Sequence, residues 1–448
     1  MLEVARRSGL WTVVLAALIA APTVAFAADG AETTPVNPFW ILGGVVVAYL
    51  LAYLSLGWLT RRYGFVTGAQ YVLVGMLVVP FTGWLDTETF RGVEALMAIA
   101  VGAVGLTAGL AVNRQRLKDQ QGRRVRLALT VAGVTLLLVT VVPLLAVFQW
   151  MPEDGRTPWV AGLMILGAVA LVADGRQLEA LAGFFEVDEA AVSDALELCW
   201  LSTSLALLWF GVSFSVLDPG IEIFGGPADG GAWLAIHLLV GAVIGAVGAA
   251  LIEERPDDDR ALTILIGVVV TASATAYATG LSIVFVSFVT GVVLIQLSSE
   301  ALRLKTMVQG AHVPIYILLL FVAGTFWTTG MEPVGYGIVA AYLVLRWLGR
   351  VLGVALYRPR LTGHRPPPGV HRTLWAPGAL TAAIVLDVAI GFSEVEHIGT
   401  LVSALILILI AEEVIAYALS RGWMIDISDV GTGRQTSSPW GDWRGGQR

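Results

Sequence analysis

Residues 159–175 read WVAGLMILGAVALVADG, and residues 374–390 read LWAPGALTAAIVLDVAI. Both are apolar enough to enter a bilayer, and both are interrupted. The first breaks at Ala173-Asp174-Gly175, the second at Ala376-Pro377-Gly378. Glycine weakens a helix, and an aspartate bonds to its own backbone in preference to continuing one. Arg176 to Phe185 then resumes an amphipathic helical pattern. Pro377 removes a ladder hydrogen bond and disfavours helical geometry at Ala376. Polar backbone freed inside a membrane must be buried in protein or line a wet cavity. Interrupted spans at corresponding places in two halves are the sequence sign of a transporter's binding site. The simpler alternative is that Asp174 ends one span, and Pro377 opens another, at the inner surface.

Working outward, the whole chain reads as membrane protein. Of 448 residues, 57% are hydrophobic and 14% charged, where a soluble domain carries about 25% charge. Apolar stretches predict thirteen spans, at 39–60, 67–83, 92–112, 127–149, 158–175, 195–216, 232–252, 261–279, 281–298, 312–329, 335–356, 373–391 and 397–418. With the mature N-terminus outside, 21 Lys and Arg residues fall on the inner side and only Arg91 and Arg156 outside, the bias of the positive-inside rule. One span more or fewer would scramble it.

The ends read separately. Arg6 and Arg7, the apolar run Leu10 to Ala21 and the small-residue end at Ala27 describe a signal peptide over 1–27. Residues 28–38 form a short exported arm. The membrane domain covers 39–421, and 422–448 read as a disordered cytoplasmic tail. Cys199, the single cysteine, is read as a small buried hydrophobe.

Charges inside spans narrow the site. Arg346 lies near the middle of span 11, where an arginine costs about 2.5–3.5 kcal/mol to insert and therefore pairs inside the bundle. Its candidate partners are Asp174, Glu197, Asp387, Glu412 and Glu413. Arg350, one turn nearer the inner face, is expected to snorkel. Asp387 is the clearest isolated intramembrane carboxylate, with a structural salt bridge as its other reading. Glu412 and Glu413 are read at the inner interface, and His237 as an interfacial histidine.

In this order of motifs the chain resembles the monovalent cation:proton antiporter superfamily, the sodium/proton and potassium/proton exchangers. Leu59 to Phe65 followed by Gly75 and Pro80 is similar to the family's basic pair and glycine-rich second span. Leu281-Ser282 with Phe288 and Gly291 resembles its "Leu-Ser … Phe-x-x-Gly" span. Pro314 with Phe321 and Gly324, then Arg346 with Gly349, then Ala376-Pro377-Gly378, resemble the three that follow. The resemblance implies a homodimer, a mobile core domain moving like an elevator, and two crossed broken helices. It also exposes departures. The family's span-6 carboxylate maps onto Leu201-Ser202, where none exists. The family lysine is Arg346, which does not release a proton at physiological pH.

These readings give an all-α polytopic membrane protein of about thirteen transmembrane helices, with inverted repeats and discontinuous helices at spans 5 and 12. The expected activity is exchange of a monovalent cation, sodium or potassium, for protons. Asp174 is expected to hold proton or cation, Ser202 and Thr203 to supply neutral oxygens, Arg346 to pair with Asp174, and Asp387 to titrate second. Gly175, Pro377 and Gly378 are the break residues. The alternative is a transport-inactive scaffold or sensor that works with partner proteins. No catalytic triad, nucleotide loop, metal-ligand spacing or cofactor motif is present in the sequence, and nothing points to nucleic acid. Glycines such as Gly241, Gly245 and Gly248 fall at helix spacing and read as close helix contacts.

Overall fold

Helix hydrogen bonds are the cheapest way to satisfy backbone in lipid, and the computed structural model of the protein is helical almost throughout. It describes residues 68–82, 94–112, 122–152, 156–185, 187, 189–217, 222–223, 226–227, 230–253, 258–298, 303, 312–327, 331, 333–357, 369–393 and 398–431. In chain order the helices are α1 (Ala69–Thr82), α2 (Glu94–Leu110), α3 (Gly122–Leu136), α4 (Val142–Trp150), α5 (Arg156–Leu171), α6 (Arg176–Phe184), α7 (Glu189–Leu217), α8 (Gly230–Glu253), α9 (Asp258–Thr279), α10 (Ile283–Leu297), α11 (His312–Thr325), α12 (Pro333–Leu356), α13 (Gly378–Gly391) and α14 (Ile398–Gly431). A π-helical stretch, Leu137–Val141, joins α3 to α4 ahead of Pro143, which has no N–H to continue the ladder. A 3-10 turn, Val370–Trp375, precedes α13. Two two-residue strands, Glu222–Ile223 and Gly226–Pro227, pair antiparallel between α7 and α8.

Twelve of the thirteen predicted spans fall on these helices. The first, 39–60, lies outside the described residues, as do the signal peptide and exported arm. Among the described residues, eight helical segments are long and apolar enough to cross a membrane, and the broken spans Trp159–Phe184 and Val370–Gly391 are the two most buried of them. The tail boundary is corrected. Helix α14 continues to Gly431 because Trp423 and Met424 are buried against Val370 and Leu374 of the 3-10 turn. Only residues 432–448 of the expected tail lie outside the described residues.

Close helix contact rather than bulk sets the core. Helix α2 packs on α10, and α1 on α11. A Cβ on Gly109 would sit 2.2 Å from the Phe288 carbonyl oxygen, and one on Gly75 2.0 Å from that of Phe321. From the opposite helices, Gly291 approaches the Leu106 carbonyl and Gly324 that of Val72 in the same way. With no hydrophobic force between helices in lipid, such small-residue seams carry the packing. Gly241 and Gly245 do the same for α8 against α10.

Candidate functional site

The two breaks meet. Helix α5 stops at Leu171, residues 172–174 are non-helical, and α6 starts at Arg176. Asp174 Oδ1 accepts from the Arg176 backbone N–H at 3.1 Å, the local bond that stops the first helix and starts the next. On the second span, Ala376 is extended (φ −63°, ψ 119°), Pro377 follows, and Gly378 has φ +60°. The Asp174 N–H donates to the Ala376 carbonyl at 2.7 Å. A Cβ on Gly378 would stand 2.0 Å from Asp174 Oδ2. Ala173, Trp375 and Ala376 are buried, so the alternative of two helix ends lying at the surface is set aside. The interrupted helices cross at their breaks inside the protein.

Side chains satisfy several of the freed backbone groups, as buried backbone requires. Thr203 Oγ1 donates to the Ala173 carbonyl at 2.7 Å and accepts from the Ala173 N–H at 3.2 Å. Ser202 Oγ donates to the Leu171 carbonyl at 2.6 Å. Both hydroxyls therefore hold the broken backbone of span 5. The sequence expects the same two hydroxyls to be neutral ion ligands.

Arg346 is fully buried and sits between the breaks. It donates to the Val172 carbonyl at 2.8 Å and the Trp375 carbonyl at 3.3 Å, one from each interrupted span. Its guanidinium lies 5.5 Å from the centre of the Trp375 ring. Its ion-pair partner is Glu412, on α14, not Asp174 as expected. Tyr342 links the two, donating to Glu412 and accepting from Arg346. The reason is reach: Asp174 turns towards Arg176, with 3.7 Å between Oδ1 and the guanidinium Nε. Arg350 does not snorkel either. It is wholly buried, donating to the Ala170 and Leu171 carbonyls and to Ser202 Oγ. Carbonyls at a helix C-terminus carry partial negative charge, and that draws both guanidinium groups inward.

The remaining carboxylates divide. Glu413 is buried within the protein, accepting from the Gly68 N–H ahead of α1 and from the Tyr316 hydroxyl, both at 2.8 Å. Glu197 pairs with Arg124, as does Asp194. Asp387 is 1% exposed and accepts from the Ser282 hydroxyl and from the N–H groups of Ile283 and Val284. It caps α10, where a helix dipole and free N–H groups favour an anion. It lies nine residues along α13 from Gly378, about 14 Å at 1.5 Å per residue, which separates it from the crossing. His237 is buried beside it, accepting from the Ser282 N–H at 2.9 Å, with Nδ1 2.8 Å from the Trp233 carbonyl. Asp387→Asn puts an amide among three donors and will cost about 2 kcal/mol. Thermal unfolding checks the cost.

A cavity of about 650 Å³ opens beside the crossing. Val172, Asp174, Thr203 and Leu380 form its wall at the break, and Glu179 and Glu197 lie further out. Asp174 keeps 18% of its side chain exposed. Among the described residues nothing donates to its Oδ2. A partly exposed carboxylate thus lines the cavity at the crossing. No metal-ligand cluster occurs among the described residues. Tyr342 and Tyr316 were not singled out in the sequence. Only the carboxylates opposite them, Glu412 and Glu413, disclose the role.

A helix crossing of this kind defines a class of fold, and solved structures share it. The chain is similar to a structure of the sodium proton antiporter MjNhaP1 from Methanocaldococcus jannaschii at pH 8, with a TM-score of 0.61 and 13% identity over 88% of this chain and 100% of that one. A second, electron-microscopy map of the same antiporter matches with a TM-score of 0.57 and 14% identity, covering 89% and 99%. The protein is therefore a multi-pass membrane protein with the fold of that antiporter. No protein-family model matches the sequence, and no curated protein does.

Proposed function

We propose that the protein is a secondary transporter that exchanges a monovalent cation, sodium or potassium, for protons across a bacterial-type inner membrane. The observation that carries this reading is the meeting of two broken spans at Asp174, whose partly exposed side chain lines the cavity. A carboxylate there can hold either a proton or a hard monovalent cation, and neither ligand needs a cofactor. Asp174 takes the role of the carboxylate absent from span 6. Ser202, Thr203, Arg346 and Asp387 position the crossing and the helix ends around it. The likeness to sodium proton antiporter structures agrees with this.

Inverted repeats fit the packing. The Gly75–Gly324 seam joins spans 2 and 10, and the Gly291–Gly109 seam joins spans 9 and 3. A shift of seven spans turns one seam into the other, and the same shift relates broken span 5 to broken span 12. With the mature N-terminus outside after loss of residues 1–27, the cavity opens to the cytoplasm. The working unit is a homodimer in the bilayer. The alternative, a scaffold that moves no ion, draws on one observation: Ser202 stands where the family carboxylate maps, and its oxygen is taken by Arg350.

Everted vesicles test the reading. Asp174→Asn will abolish cation-dependent dissipation of an imposed pH gradient while leaving the folded protein in the membrane. An unaffected variant would move the exchange site to Glu197.

A further inference from the structure

Arg350 differs from Arg346 in its surroundings. It is fully buried, and among the described residues no carboxylate lies within ion-pair distance of it. Its head group is surrounded by oxygen instead. Nη2 is 2.9 Å from the Ala170 carbonyl, 3.1 Å from Leu171 and 3.4 Å from Val172, and Nη1 is 3.0 Å from Ser202 Oγ. Three carbonyls and a hydroxyl converging on one positive centre, sheltered from water, form the oxygen set that replaces the hydration shell of a monovalent cation. The carbonyls converge because α5 ends there, so the dipole end of a helix points at the same centre. Nothing obliges that charge to belong to the protein.

We propose that Ala170, Leu171, Val172 and Ser202 form an oxygen cage for a dehydrated monovalent cation, and that Arg350 fills it as a tethered ion. The cage stands behind the cavity wall, since Val172 belongs to both. Arg350 is therefore a specificity-determining residue. It closes the inner oxygen site to free ions and leaves Asp174 as the carboxylate a solvated ion can reach. Arg346, one turn earlier on α12, differs because Glu412 balances it.

The inference is independent of transport and is tested by binding. Full-length Asp174→Asn protein, in which the cavity carboxylate is silenced, is compared in detergent with Asp174→Asn/Arg350→Ala by thermal unfolding. Potassium, sodium or millimolar guanidinium chloride is added, with choline chloride as control. The double variant will show a saturable rise of about 2–4 °C with potassium, sodium or guanidinium at roughly a hundred-fold excess over Kd. Choline will give none, and Asp174→Asn alone will not respond. No response to any of the three ions in the double variant overturns the proposal. If the alanine variant does not fold, Arg350→Lys against Arg350→Met decides. The lysine keeps a tethered charge and will melt well above the methionine. Equal melting temperatures, or loss of folded protein for lysine as for methionine, overturn the cage.

Discussion

Glu412→Ala will destabilise the protein by about 3–5 kcal/mol, the cost of stranding a buried charge. Arg346 and Glu412 are both fully buried, and Glu412 holds the carboxylate that pairs with the guanidinium. Without it the Arg346 charge rests on the Val172 and Trp375 carbonyls and the Tyr342 hydroxyl. Arg350 stands one turn away on the same helix with no carboxylate of its own, so two like charges face each other at an unfavourable spacing. The expected result is a large fall in melting temperature in detergent. The double replacement Arg346→Met with Glu412→Leu will recover most of the loss, because exchanging a buried pair for apolar side chains is close to neutral. A Glu412→Ala protein as stable as wild type would show that the carbonyls suffice.

Gly378→Ala will separate the two breaks. A side chain at +60° costs about 1–2 kcal/mol on backbone grounds. The added methyl group would also stand 2.0 Å from Asp174 Oδ2 and 2.4 Å from its Cβ. Asp174 must then withdraw, which weakens the 2.7 Å bond from its N–H to the Ala376 carbonyl. Exchange activity will be lost at unchanged expression. Gly183→Ala is the control. It lies on α6 with nothing within 4 Å of the added carbon, and will gain roughly 0.5–1 kcal/mol of helix stability. Equal activity in both variants would mean that the crossing tolerates displacement.

The crossing was legible because its causes are local. An Asp-Gly pair and an Ala-Pro-Gly triplet stop helices wherever they occur, and lipid forbids leaving the freed groups exposed. A buried role for Arg346 was legible from insertion cost alone. Its partner was not, because Glu412 and Glu413 are neighbours whose side chains diverge by about 100°. Apolar periodicity weak on all sides does not say which of the two faces α12. Arg350 was misread for a related reason. A long stem near an interface can reach out, and only the end of α5 shows what pulls it inward. Asp387 was legible as an isolated intramembrane carboxylate, but its three donors at the N-terminus of α10 belong to another span. Helix α14 outran its sequence boundary because Trp423 and Met424 follow a Gly in a polar stretch, and the surface that buries them lies on another span.

Purified protein in sealed vesicles, with an acidic interior and a pH-sensitive dye, gives the most direct measurement. The account predicts that added sodium or potassium collapses the pH gradient in wild-type vesicles and leaves it standing in those carrying Asp174→Asn. A gradient that survives sodium, potassium and lithium alike, from mildly acidic to alkaline pH, would contradict it.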